Sequence, residues 1–145
     1  MSALIFVYGT LKNGFSRNQL LQAERYLGTA KTKPEYALFR MSSYPAMLNK
    51  KLAEQSHVEA NNSIYGEIYE VSDECLINLD KVEGTDVDLF ERLSIDILEF
   101  TLMRLPLSIT AWQSLQNNTA QAYLFKRSVQ GASNCGEYWH NRNAS

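Results

Sequence analysis

Two short stretches hold the residue types that could do chemistry together. One is Val7-Tyr8-Gly9-Thr10-Leu11-Lys12 near the start; the other is Leu79-Asp80-Lys81-Val82-Glu83-Gly84 past the middle. In the first, an apolar run ends at Gly9, and the backbone N–H groups of the following turn leave the strand ladder. Such groups, held in a concave turn, bind a carboxylate or a developing oxyanion. Gly9 allows positive φ and lets a ligand touch the main chain. A plain strand-to-helix turn would use the same residues, and the loop lacks the glycine spacing of a phosphate cradle. In the second stretch, Glu83 falls in the last turn of a helical pattern, just before the glycine expected at the helix end, where the macrodipole's negative pole disfavours a carboxylate. A carboxylate pressed by that dipole and by apolar neighbours such as Val82 moves its proton affinity towards neutrality, where a general acid–base works best. The competing reading is a surface Glu paired with Lys81 or Arg92.

The remaining candidates are poorer. Glu91 and Arg92 could be an acid and its clamp, but Arg92 opens a strand, where most arginines are surface or structural. A nucleophilic triad would have to join His57 or His140 to Cys75 or Cys135. Cys75 sits among apolar residues of a helix, where a small buried thiol is the default. Cys135 and His140 are five positions apart with no further ligands evident, so no metal is expected. Tyr36, Tyr44, Tyr65, Tyr69 and Tyr123 read as core or pocket wall.

The elements that must position these groups follow from patterning. Ala3 to Tyr8 is an unbroken β-branched and aromatic run, the mark of a central strand buried on both faces. Ser16 as N-cap with Gln19 three residues on predicts a helix to about Tyr26, closed by Gly28. Tyr36 to Leu48, broken at Ser42-Ser43 and Pro45, predicts one or two short strands, and Lys50 to Ser63 a polar surface loop. Ile64 to Val71 alternates as a half-buried strand whose Gly66 marks a bulge or a close backbone approach. Ser72 and Asp73 open a helix over 73–83, with Leu76, Leu79 and Val82 at helical spacing. Arg92 to Glu99 and Ala120 to Phe125 are further strands, and Met103 to Asn118, interrupted by Pro106, a loop with a short strand. Many short strands with two helices, not in strict alternation, indicate an α+β class, which a curled or closed small barrel would suit.

Composition bounds the rest. The 145 residues suit one domain, taken as 1–130 with a C-terminal tail, 131–145, held by Tyr138-Trp139. With 14 Lys and Arg against 16 Asp and Glu, formal net charge −2, no basic cluster offers a footprint for nucleic acid. The longest apolar run is far below the roughly 20 residues that cross a bilayer, so neither a membrane span nor an export signal is expected, and the compartment expected is the cytoplasm. Two distant cysteines form no disulfide framework. Oligomeric state is not legible.

Phe6-Val7-Tyr8-Gly9-Thr10-Leu11-Lys12, Tyr44-Pro45, Tyr65-Gly66-Glu67-Ile68-Tyr69 and Leu79-Asp80 leading into Glu83 before Arg92 together resemble the γ-glutamylcyclotransferase-like superfamily, in its γ-glutamylamine cyclotransferase and AIG2-like branch. The resemblance runs to about Phe125. It implies a small mixed β-barrel flanked by helices, whose cavity holds a γ-glutamyl group between Tyr8, Gly9, Thr10 and Leu11 as binding residues and Glu83 as the catalytic one. It implies release of 5-oxoproline and a free amine or amino acid from a γ-glutamylamine or γ-glutamyl peptide, with no metal or cofactor. One departure is Phe90: the resemblance leads one to expect Tyr two residues before the Arg, and the segment from Glu83 to Arg92 is one residue longer. A non-catalytic small-molecule-binding barrel of the same fold is the alternative.

Overall fold

The computed structural model describes residues 2–9, 18–41, 44–84, 89–102 and 108–137. Its first strand, β1 (Ser2–Val7), is apolar beyond Ser2, and Ala3 to Tyr8 are all buried, as a strand covered on both faces must be. β1 lies between β5 (Tyr65–Ser72), its antiparallel partner, and β7 (Thr119–Phe125), which it meets in parallel at Ile5 and Gln121. With β2 (Arg25–Thr32) and β6 (Phe90–Leu102) these strands close a barrel in the order β1-β5-β2-β6-β7. β6 serves two neighbours in turn, β7 through Asp96 and β2 from Ile97 onwards. The chain thus adopts the expected α+β class, a mixed barrel flanked by helices.

Alternate residues of all five strands fill the barrel: Leu4 and Phe6, Leu27, Ile68, Ile95 and Ile97, Ala122 and Leu124. The opposite faces pack a second cluster, in which Ile5, Val7, Tyr69 and Val71 meet Leu79 of a helix and Phe39 and Leu48 of a second sheet. That sheet has the order β4-β3-β8, from β3 (Ala37–Met41), β4 (Tyr44–Leu48) and β8 (Ser133–Asn134). Pro45 is tolerated because β4 is an edge strand, where a missing N–H costs no ladder bond. Gly66 is the close approach expected of it, since a Cβ there would stand 2.6 Å from the Phe6 ring.

Among the described residues, three α-helices flank the sheets: α1 (Lys50–Gln55), α2 (Asp73–Glu83) and α3 (Ile109–Gln116). α2 has the bounds expected from the sequence. Ser72 caps it by accepting from the Cys75 amide, Asp73 and Glu74 occupy its first turn, and Gly84 ends it at φ 72°.

Elsewhere the structure corrects the expectations. The helix expected to reach Tyr26 is a single 3-10 turn, Asn18–Leu21, followed by β2; its proposed N-cap, Ser16, lies outside the described residues. Gly28 stops no helix. It sits at a register shift of β2 with φ 144°, where a Cβ would stand 2.0 Å from the Thr101 carbonyl oxygen, so backbone contact rather than a helix end requires it. The polar stretch 50–63 begins as α1, capped by Asn49, and buries Ala53, Ser56 and Ser63. Within 103–118 the chain forms α3, capped by Ser108. Beyond Gly131, β8 pairs with β3 and the Cys135 amide donates to the Leu38 carbonyl at 2.7 Å; Tyr138 and Trp139 lie outside the described residues.

Candidate functional site

β1 runs out of ladder at Val7, so Tyr8 and Gly9 stand at one end of the barrel. α2 stops at Glu83 by its glycine cap, and β4 enters with Tyr44 and Pro45. These three ends, with Phe90 opening β6 and Tyr123 on β7, enclose a cavity of about 100 Å³. Tyr8, Gly9 and Glu83, singled out in the sequence from stretches about 75 positions apart, therefore line one space. Thr10 and Leu11 lie outside the described residues.

Each wall has a local cause. Gly9 does not use the positive φ open to it; a Cβ there would stand 2.4 Å from Cγ of Pro45, so the glycine is what lets β4 pack so closely. The Tyr8 hydroxyl is buried and donates to the Tyr123 carbonyl, which makes it a strut rather than a group offered to a ligand. Burial pushes the Tyr8 phenol well above its ordinary range, the nearby Glu83 charge pushes the same way, and a backbone hydrogen bond at Met47 opposes. Tyr44, Phe90 and Phe125 form an edge-to-face aromatic group, with the Phe90 and Phe125 centroids 5.3 Å apart, so Phe90 completes an apolar wall.

Glu83 is half-buried and lines the cavity. One turn earlier, Asp80 receives Arg92 at both carboxylate oxygens, 3.0 and 3.2 Å, and the Tyr123 hydroxyl at 2.6 Å. Burial and the Asp80 carboxylate raise the Tyr123 phenol far above its usual value, with Glu83 adding to the rise and Arg92 opposing it. Arg92 is raised in turn, chiefly by its hydrogen bond to Asp80.

Asp80 was not singled out in the sequence, and Arg92, weighed there as a clamp beside Glu91 or a surface partner of Glu83, pairs with Asp80. The available signal was the three-residue step from Asp80 to Glu83, which places both on adjoining helix surface. Tyr44 and Tyr123, read as core or wall, line the cavity. Thiol chemistry gains nothing: Cys75 is a free, half-buried thiol whose pKa burial and then Glu24 push up to about 12. Among the described residues no three His, Cys, Asp or Glu converge as metal ligands, and no helix is long and apolar enough to cross a membrane.

Chemically, the site brings one acidic residue, Glu83 at a helix end, and the Tyr8-Gly9 end of β1 to the wall of one small cavity. Residues 5–141 match the family described as "Gamma-glutamyl cyclotransferase, AIG2-like". A protein of Vibrio cholerae serotype O1, provisionally named a gamma-glutamylcyclotransferase, is 40% identical over 88 residues, 61% of this chain and 68% of its own. A Drosophila melanogaster protein with the same provisional name is 32% identical over 133 residues, 87% of this chain and 77% of its own. The crystal structure of an AIG2-like protein from Mus musculus superposes with a TM-score of 0.67 at 18% identity, covering 99% of this chain and 92% of that one, a likeness of fold.

Proposed function

The chain belongs to the gamma-glutamyl cyclotransferase, AIG2-like family, and from that premise we propose that it releases 5-oxoproline and a free amine or amino acid from a γ-glutamylamine or γ-glutamyl peptide, with Glu83 as general acid–base. The observation that supports the reading is that Glu83 and Tyr8-Gly9 line one cavity. In this reaction the substrate supplies its own nucleophile. The α-amine nitrogen attacks the γ-carbonyl carbon, a five-membered ring closes, and the bond to the leaving nitrogen breaks. Closure within one molecule gives a high effective molarity, so the protein's work is to hold the reacting conformation and move protons. Glu83 takes the proton from the α-ammonium and returns one to the leaving nitrogen. The main chain of the turn, including Gly9 with Thr10 and Leu11 beyond it, holds the glutamyl carboxylate or the tetrahedral oxyanion. No step calls for a metal or a cofactor.

The test is incubation with a panel of γ-glutamylamines and γ-glutamyl dipeptides, following 5-oxoproline by mass spectrometry. The wild type releases it, and Glu83→Gln is slower by about 10²–10⁴. Equal turnover by Glu83→Gln overturns the role. Binding of 5-oxoproline with no turnover of any γ-glutamyl compound replaces the enzyme by a binding barrel, the reading that Phe90, in place of a hydroxyl-bearing side chain, favours.

A further inference from the structure

Arg92 and Tyr123 are direct cross-strand partners in the β6–β7 ladder, so the donors to Asp80 come from a single rung of the barrel. The guanidinium is anchored on its other side by donating from Nη1 to Gln121. Tyr123 has a second attachment: its backbone carbonyl takes the Tyr8 hydroxyl, one residue before Gly9. One rung therefore ties both walls of the cavity, the helix end that bears Glu83 and the strand end that bears Gly9.

We propose that Asp80, Arg92 and Tyr123 are positioning residues that hold Glu83 against the Gly9 turn and, by keeping the neighbouring Asp80 carboxylate neutralised, set the proton affinity of Glu83. The catalytic consequence rests on the cyclotransferase reading; the electrostatic coupling does not. A two-pronged arginine–carboxylate pair fixes orientation as well as charge. Without Arg92 the Asp80 charge bears on Glu83 and makes it harder to ionise; without Asp80 the guanidinium makes ionisation easier. The titratable residues that line the cavity with Glu83 are the phenols Tyr8 from β1, Tyr44 from β4 and Tyr123 from β7, and Lys81 on α2 is exposed and screened. The phenols of Tyr8 and Tyr123 stay protonated through the working range.

The experiment is a carbon-13 NMR titration of the Glu83 side-chain carboxyl in the full chain, alongside kcat and KM with a γ-glutamyl substrate. The expected midpoint of Glu83 moves up in Arg92→Gln and down in Asp80→Asn, each by roughly half a pH unit or more. The double variant returns near wild type, and Tyr123→Phe moves up by less than Arg92→Gln. Tyr123→Phe keeps the buried ring and carries the upward arm should Arg92→Gln fail to fold. In each single variant kcat falls with KM little changed. A midpoint that does not move, or that moves the same way in the Arg92 and Asp80 variants, overturns the proposal. A wild type that turns over no γ-glutamyl compound, with the opposed shifts intact, overturns the cyclotransferase reading and leaves the network standing.

Discussion

Inside the barrel, Leu4, Phe6, Ile68, Ile95, Ile97 and Leu124 meet with at most 2% of their surface exposed and no ionisable group among them. At the end where β1 runs out, Tyr8, Glu83 and Tyr123 line a cavity, and Tyr123 donates to Asp80, which also receives Arg92. The same strands build both regions. β1 supplies Leu4 and Phe6 to the interior and, two positions further, Tyr8 to the site; β7 supplies Leu124 to one face and Tyr123 to the other. On β7 period-two alternation separates the two tasks; on β1, where Leu4, Phe6 and Tyr8 share one face, distance along the strand does, with Phe6 at the boundary. Changes in the first region should act on unfolding, and changes in the second on turnover.

The largest effect expected is on the barrel side. Ile95→Ala removes buried volume from a closed interior and costs about 2–5 kcal/mol of unfolding free energy, read by urea titration, while the rate per folded molecule stays near wild type. A large loss of rate in the folded fraction would merge the two regions. Gly9→Ala is the counterpart at the cavity. Its methyl group is driven into Pro45, the turn shifts against Glu83, and turnover falls by about 10², with a smaller loss of stability. Normal turnover would remove the turn from the mechanism.

A weaker effect sharpens the division at high pH. Unfolded tyrosines lose their protons near pH 10, whereas the buried Tyr8 and Tyr123 phenols resist. Their contribution is complete below about pH 10 and is lost as pH rises through the folded values, because the unfolded chain then binds fewer protons. Urea unfolding between about pH 8 and 11 should show that decline, shallower in Tyr8→Phe and unchanged in Tyr65→Phe, at an exposed ring. The smallest effect is at Cys75. At pH 8 it holds about a thousandfold less thiolate than an unshifted thiol, so in a Cys135→Ser background iodoacetamide should react slowly and leave turnover intact. Rapid alkylation with loss of activity would restore a thiol to the site.

The sequence revealed elements whose signals are local. α2 was legible to the residue because cap, acidic first turn, helical spacing and terminal glycine all lie within 13 positions, 72–84. β1 was legible because both of its faces are apolar. β2 was not: Gly28 looks like a helix stop, and only the approach of the Thr101 carbonyl, about seventy positions away, explains it. α1 has six residues, too few for a period to show, and α3 leaves Ile109 and Trp112 exposed, which blurs its apolar stripe. In the site, Glu83 was found through a local violation, a carboxylate at the wrong helix end. Asp80, Arg92 and Tyr123 break no local rule; their meeting depends on strand register and on where α2 docks, which no short window contains.

If Glu83 and the main chain at Gly9 hold one γ-glutamyl group between them, a crystal structure with 5-oxoproline bound will show the ring in the Tyr8–Glu83 cavity, within hydrogen-bonding reach of both the Glu83 carboxylate and the main chain at Gly9. A ring bound elsewhere, for instance in the hydroxyl-lined cleft by Ser94, Thr110 and Ser114, or one held beyond the reach of Glu83, would contradict it.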